Sequence, residues 1–227
     1  MIKDSNTFFA FDTDKVSIDL LYNKETGRYT VPYNLYQERI SNVKEWHDRG
    51  YTGAGQKIAI IDTGIMTHHP LLQGRIADTI DFTGEGIEDV SGHGTLVTLI
   101  ALMAAPSLDF YIAKVLDKNN SGSEKNIIEG VKWAISKGVG GINLSLGQIK
   151  ECAEECELKK ELDRAKDKNI FVTVAAGNNP NMEFCPAKCC MFSVGALNYE
   201  CNGVAKYSSK ANFYQTGTYG LYGLKTE

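Results

Sequence analysis

The sequence predicts an α/β fold, a doubly wound and mostly parallel sheet with helices on both faces. Candidate strands alternate with candidate helices from residue 58 to residue 196, which is the pattern of a parallel sheet. Residues 58–61 are four apolar residues, three of them β-branched, as is typical of a strand buried on both faces. Asp62 follows at once, at the edge where open α/β sheets carry ligands and catalytic groups. By itself this position fits a solvated turn aspartate better than a functional one.

Length and composition are those of one domain. The 227 residues suffice for a single α/β domain with its own core. With 24 basic and 28 acidic residues the chain is mildly acidic, which gives no indication of nucleic-acid binding. Residues 1–5 lack an apolar signal core, and no apolar run approaches membrane-spanning length. We therefore expect a cytoplasmic protein without a membrane contact, although six cysteines also fit the disulfide framework of an exported one.

The N-terminal region differs from the rest of the chain. Residues 1–27 are polar with two apolar patches, 8–11 and 16–21, and the second alternates enough to predict a strand. We expect an extension over residues 1–27, followed by a domain over 28–227. A docked surface extension is favoured over an inhibitory tail or an added edge strand.

The later elements follow from periodicity and from turn residues. The stretch Ser91-Gly92-His93-Gly94-Thr95 precedes an apolar run of helical length, so His93 should lie at the mouth of a buried helix. A short helix ends before the glycine-rich turn at residues 50–53, and Ser123 and Gly138 are the expected N-cap and stop of another helix. We predict strands over 110–116, 142–146 and 170–174 and helices over 43–46, 125–137 and 151–168.

Several short motifs together carry a family resemblance. They are Ala59-Ile60-Ile61-Asp62-Thr63-Gly64-Ile65, Gly92-His93-Gly94-Thr95, Gly141-Ile142-Asn143-Leu144-Ser145-Leu146-Gly147 and Val174-Ala175-Ala176-Gly177-Asn178, and residues 193–196 and 207–209 also fall in order. With them the chain resembles the subtilisin-like serine proteases from about residue 31 to about residue 209. In that family Asp, His and Ser follow one another in this order.

The resemblance implies roles for individual residues. His93 would be the general base and then the acid, Asp62 would orient it, and Asn178 would donate to the oxyanion. The substrate would be a peptide or protein, held along its backbone. The cleft would be lined by Ser121, Gly122, Ser145, Leu146, Gly147, Ala175, Ala176 and Gly177.

The expected nucleophile does not appear. The family places its serine in a Gly-Thr-Ser motif at the start of a long buried helix, and the 227 residues contain no Gly-Thr-Ser. Gly217-Thr218-Tyr219 is a superficial match, and Ser145, Ser208 and Ser209 correspond to other family positions. The resemblance thus predicts a fold lacking its C-terminal part with the central helix, which a C-terminal fragment or partner chain would complete. The alternative is a pseudoprotease that binds an extended peptide without cutting it.

No metal or other cofactor is predicted. The family often has an acidic calcium ligand just after the His-Pro pair, and here that position is Leu71. We also expect the calcium loop that usually follows the His-bearing helix to be missing, because residues 103–106 lead straight to the next strand.

The six cysteines leave three alternatives open. Cys152 and Cys156 are spaced to share one face of the predicted helix 151–168. The others are Cys185, Cys189, Cys190 and Cys201. Free thiols are favoured over disulfides, and both over a zinc site, since no close Cys-x₂-Cys pair is present. A metal-dependent hydrolase that uses these cysteines is a third, weaker functional class.

Overall fold

A computed structural model describes residues 7–10, 21–23, 28–30, 43–149, 156–188, 190, 192–196 and 203–209. In chain order the elements are β1 (Thr7–Ala10), β2 (Leu21–Asn23), β3 (Arg28–Thr30), α1 (Val43–Asp48), β4 (Lys57–Asp62), β5 (Ile76–Asp81), α2 (His93–Ala104), β6 (Asp109–Lys114), β7 (Ser121–Ser123), α3 (Glu124–Ser136), β8 (Gly141–Leu144), β9 (Leu146–Gly147), α4 (Glu157–Asp167), β10 (Phe171–Ala175) and β11 (Phe192–Val194). A 3-10 helix covers Pro70–Leu72.

A six-stranded sheet forms the centre, in the order β11-β10-β8-β4-β6-β5. All of its neighbouring strands pair in parallel. Strand β4 lies inside this sheet, and the chain passes from it first toward β5 and later toward β11. This arrangement confirms the predicted α/β fold with a mostly parallel sheet.

Two apolar layers cover the sheet, one on each face. Ala59 and Ile61 of β4 pack with the buried side chains of α3 and α4, whereas Ile60 packs with Leu99 and Leu102 of α2. Successive side chains of a strand point to opposite faces, so β4 must be apolar throughout. This explains the uninterrupted apolar run that precedes Asp62.

Helix boundaries follow the predicted caps closely for α3. The Ser123 hydroxyl accepts a hydrogen bond from the Asn126 N–H at 3.2 Å, as an N-cap does. Gly138, with a φ of +63°, follows the end of the helix. The predicted strand 142–146 instead divides into β8 and β9, with Ser145 between them.

The predicted helix 151–168 is wrong at its start. Helix α4 begins at Glu157, and Cys156 precedes it in an extended conformation with φ −63° and ψ 119°. Cys156 is therefore not on a helical face shared with Cys152, which lies outside the described residues. A carboxylate at Glu157 favours a helix start there, because it interacts with the positive end of the helix dipole.

The N-terminal region contributes a strand at an unexpected place. The first apolar patch, not the second, contains β1, which pairs antiparallel with β7 on one side and with β9 on the other. For residues 7–10 the structure therefore favours an added strand over a docked surface extension. Residues 16–20 of the predicted second strand lie outside the described residues, and β2 pairs with β3 in a hairpin that spans the expected boundary at residue 27.

Among the described residues, no helix has both the length and the apolar character needed to cross a membrane.

Candidate active site

Asp62 and His93 meet in a buried contact at the carboxyl edge of the sheet. Asp62 is the last residue of β4 and His93 the first of α2. Their Oδ1 and Nδ1 atoms are 2.6 Å apart, and the two residues are only 0% and 4% exposed. The Thr63 N–H also donates to Asp62 Oδ1, at 2.7 Å. An ionised carboxylate only accepts hydrogen bonds, so this geometry places a proton on Nδ1 and leaves Nε2 as the basic nitrogen.

Two glycines allow the strand and the helix to approach this closely. A Cβ atom on Gly94 would lie 2.4 Å from the Gly64 carbonyl oxygen and 3.2 Å from the Asp62 Cβ. Gly64 itself has a φ of +108°, a conformation that favours glycine. Gly94 is therefore required by the packing of the turn after β4 against the first turn of α2, and Gly64 is required by its backbone conformation and by the Ile87 carbonyl oxygen, which would lie 2.3 Å from an added Cβ atom.

A second buried carboxylate, Asp89, joins the same two segments. Its Oδ1 accepts from the Thr63 hydroxyl and from the Gly92 N–H, both at 2.8 Å. Its Oδ2 accepts from the N–H and the hydroxyl of Thr95, at 2.8 and 2.7 Å. The Thr63 hydroxyl in turn accepts from the Gly94 N–H at 2.8 Å. A continuous chain of hydrogen bonds thus runs from Asp89 through Thr63 to the Asp62–His93 pair.

Lys114 supplies a positive charge beneath this turn. It is fully buried, and it pairs in register with Asp62 on the neighbouring strand. Its ammonium donates to the Thr63 carbonyl at 2.6 Å and to the Glu88 carbonyl at 3.4 Å, and it lies 3.9 Å from the Glu85 carboxylate. The lysine therefore holds the backbone that carries Asp62.

The other predicted residues follow the neighbouring strands. Strand β8 lies beside β4, and β10 lies beside β8. Because parallel strands end at the same edge, Ser145 after β8 and Asn178 after β10 lie on the side of the sheet where Asp62 lies. Asn178 is exposed to solvent, whereas Ala176 is buried and donates its N–H to the Val194 carbonyl at 2.8 Å.

The predicted cleft segments form a groove that is filled by β1. Ser121 and Gly122 belong to β7, and Leu146 and Gly147 form β9. Phe9 is paired with Ser121 on one side and with Gly147 on the other. These two segments therefore bind one extended strand between them, and in this structure it is part of the same chain.

The three serines considered as substitutes for the nucleophile have structural partners. The Ser145 hydroxyl accepts from the Asn143 amide at 2.9 Å. Ser208 accepts from the Ala196 N–H at 3.0 Å. Ser209 donates to the Asn179 carbonyl at 2.6 Å and accepts from its N–H at 3.1 Å. Ser209 thus braces the loop that carries Asn178.

Metal-ligating side chains do not cluster in the part of the chain that the structure describes. There, no three His, Cys, Asp or Glu residues are close enough to hold a metal ion. His69 caps the 3-10 helix by accepting from the Leu71 N–H, and burial lowers the pKa of its imidazole. Among the described cysteines, the Cys156 thiol lies 3.8 Å from the Glu124 carboxylate, and the Cys190 sulfur lies 3.7 Å from the Val172 carbonyl. The absence of a metal site and the state of the cysteines stay predictions.

Sequence reasoning missed Asp89, Thr95 and Lys114. The one local signal for Asp89 was a weak one, a negative charge close to the start of a helix, where it interacts favourably with the helix dipole. No comparable signal marks Lys114. Its partners, the Thr63 and Glu88 carbonyls, lie on other segments, and they can be recognised only when the pairing of the strands is known.

The chain is similar in sequence to known proteins. The model of the subtilase family (peptidase S8) matches residues 53–218. The chain is 37% identical over 160 residues to a thermostable alkaline protease of Halalkalibacterium halodurans, covering 66% of this chain and 42% of that protein. It is 35% identical over 222 residues to subtilisin E of Bacillus subtilis, covering 85% of this chain and 56% of that protein. The same identity and share of this chain hold for a subtilisin of Bacillus pumilus, with 78% of that protein covered. The chain spans about half the length of the first two relatives.

Proposed function

Because this chain belongs to the subtilase family, we propose that it carries the acid–base part of a serine endopeptidase site, which hydrolyses peptide bonds by acyl transfer. The observation that carries the proposal is the buried contact of 2.6 Å between Asp62 Oδ1 and His93 Nδ1. An aspartate in this position orients the imidazole and stabilises the imidazolium that forms during the reaction.

His93 would move the proton in both halves of the reaction. Its Nε2 would take the proton of the nucleophilic hydroxyl, whose oxygen attacks the peptide carbonyl. The same nitrogen would then give that proton to the leaving amine. Asp62 stays ionised throughout, supported by the Thr63 N–H on the oxygen that faces His93.

Asn178 is proposed to stabilise the negative oxygen of the tetrahedral intermediate. Support comes from its exposed position at the carboxyl edge of the sheet, on a loop braced by Ser209. In subtilisin, removal of such an amide donor lowers kcat by about 10²–10³. The Gly177 carbonyl accepts from the Ser209 N–H at 2.9 Å, which further fixes the loop.

The substrate would be an extended peptide that lies between β7 and β9. Strand β1 supports this proposal, because its antiparallel pairing to both segments shows that they accept one strand. Backbone pairing of this kind recognises a peptide largely independently of its sequence. By the same pairing, residues 7–10 are proposed to compete with the substrate.

The nucleophile is proposed to come from a segment outside the 227 residues, because these contain no Gly-Thr-Ser motif. The exposed apolar surface of helix α2 supports the proposal that a further segment packs on it. One side of it is buried against the sheet, while Ile100 on another side remains 46% exposed. An apolar helix of this kind is expected to be covered on most of its surface.

A pseudoprotease that holds an extended peptide without cutting it is the second candidate. The β7–β1–β9 pairing favours it too, since such binding needs no nucleophile. The two candidates differ in whether His93 activates a serine.

Labelling with a fluorophosphonate, which phosphonylates only an activated serine, decides between them. The 227-residue chain is tested alone and together with any segment that is encoded directly after it, each with a His93→Ala control. A protease whose serine lies on the second segment is supported if only the combined sample is labelled and if the His93→Ala control loses this labelling. Labelling of the 227 residues alone would show that they already contain the nucleophile. No labelling in either sample supports the pseudoprotease.

A further inference from the structure

Asp89 has no step in the proposed reaction, yet it is a buried carboxylate next to the reacting pair. It is 7% exposed and accepts four hydrogen bonds. One comes from the turn after β4, through the Thr63 hydroxyl. The other three come from the first turn of α2, through Gly92 and Thr95. A single side chain therefore joins the strand that ends in Asp62 to the helix that begins with His93.

Thr63 links this carboxylate directly to the pair. Its hydroxyl donates to Asp89 and accepts from the Gly94 N–H, while its own N–H donates to Asp62 Oδ1. Gly94 follows His93 in the helix. The path from Asp89 to both members of the pair thus runs through one residue, and every step of it is a hydrogen bond of 2.7–2.8 Å.

We propose that Asp89 is a positioning residue that fixes His93 relative to Asp62 by holding Thr63 and the first turn of α2 together. The inference rests on the proposed function, in which the alignment of His93 determines the rate. Misplacement of a catalytic group by about 1 Å can lower the rate about 10²-fold.

Only an ionised carboxylate satisfies this arrangement. All four partners donate to Asp89. In an asparagine, an N–H₂ group would replace one of the two oxygens and would face the donors that this oxygen accepts from. The negative charge also lies at the N-terminus of α2, whose N-cap residue Gly92 has no capping side chain. Asp89 therefore does from three residues upstream what an N-cap side chain does in most helices.

Four variants separate positioning from charge and from stability. Thr63→Val removes the hydroxyl link without changing any charge, and Thr63→Ser keeps that hydroxyl. Asp89→Asn removes the charge. Asp81→Asn is the matched control, because Asp81 also accepts four hydrogen bonds, all from the turn at residues 83–86 beyond β5.

The first measurement is the NMR signal of the proton between His93 Nδ1 and Asp62, in the protein labelled with ¹⁵N-histidine. We expect Thr63→Val and Asp89→Asn to shift or broaden this signal, and Thr63→Ser and Asp81→Asn to leave it in place. Circular dichroism checks that each variant is folded. If Asp89→Asn fails to fold, the comparison of Thr63→Val with Thr63→Ser still tests the proposal. An unchanged signal in a folded Thr63→Val variant would overturn the proposal, and so would an equal change in Asp81→Asn.

The second measurement is peptide hydrolysis by the 227-residue chain combined with the segment that is encoded directly after it. Thr63→Val and Asp89→Asn should lower kcat about 10²-fold with little change in KM, while Thr63→Ser stays near the wild type. If the wild-type chain, combined with the segment encoded directly after it, neither hydrolyses peptides nor reacts with fluorophosphonate, the proposed function fails. The NMR comparison then tests the positioning role by itself, because it needs no turnover.

Discussion

At the residue scale, the proposed chemistry depends on the proton between Asp62 and His93. Replacing Asp62 with Asn keeps the shape of the side chain but lets an amide face the imidazole, so that the wrong tautomer is favoured. We expect kcat for an extended peptide to fall about 10⁴-fold, with a folded protein. The matched control is Asp48→Asn on the exposed surface of α1, where the carboxylate pairs with Lys44. A loss of less than tenfold in Asp62→Asn would contradict the assigned role.

The sequence alone predicted Asp62 and His93 as a pair, because each stands in a local pattern of strand end or helix start. It did not predict Asp89, since hydrogen bonds to Thr63 and Thr95 join residues 26 and 6 positions apart. Ser209 is a similar case, because it braces Asn179 from 30 residues away. Residues that hold a site in place leave weaker local signals than residues that perform its chemistry.

At the element scale, the turn beyond β5 depends on one ionised carboxylate. Partial burial works to raise the pKa of Asp81, but hydrogen bonds from the hydroxyl and N–H of Thr83 and from the N–H groups of Gly86 and Gly84 outweigh it, so the pKa is lowered. A lowered pKa in the folded state means that the carboxylate stabilises the fold above its unfolded pKa of about 3.9. This stabilisation is lost as the pH falls through the folded value.

We therefore expect Asp81→Asn to lower the free energy of unfolding at pH 7 and to have a smaller effect at an acidic pH below the folded-state pKa. Urea unfolding of the wild type and the variant at both pH values measures the difference. An effect that is equal at the two pH values would show that the charge of Asp81 is not involved.

Strand β1 is the second element with a testable consequence. Phe9→Pro removes a backbone N–H at the residue paired with both β7 and β9, which should release the strand from the groove. We expect a fluorescent Phe-Phe-Ala-Phe peptide to bind at least about tenfold more tightly, because the groove no longer has to be vacated. Tyr22→Pro in β2 is the matched control, since among the described strands β2 pairs with β3 alone. Equal affinities in the wild type and Phe9→Pro would refute competition by β1.

Patterns within a segment predicted β4, β6, α3 and β10 to within a few residues. The pairing of β1 with β7 and β9 could not be predicted in this way, because it joins residues more than 100 positions apart and depends on backbone groups that every sequence has. The start of α4 was misjudged because polar, charged residues extend the helical pattern on either side of Glu157.

At the scale of the whole molecule, we expect stability without a bound metal. Leu71 packs against the apolar layer beneath α2, at the position where the family often has an acidic ligand. A metal present at 100 times its Kd would contribute about 2.7 kcal/mol, or roughly 5–11 °C in Tm for a chain of this size. Addition of EDTA should therefore leave Tm unchanged, as measured by circular dichroism. A fall of several degrees that calcium or zinc reverses would contradict this prediction, and reversal by zinc would favour the cysteines as ligands.

The strand that fills the groove determines how peptide binding depends on the concentrations of protein and peptide. A competitor on the same chain acts at an effective concentration that dilution does not change. Lowering the protein concentration would therefore never free the groove, and a peptide would have to approach that effective concentration or bind more tightly than residues 7–10. A single cut between β1 and the rest of the chain would turn this permanent competitor into a dilutable one.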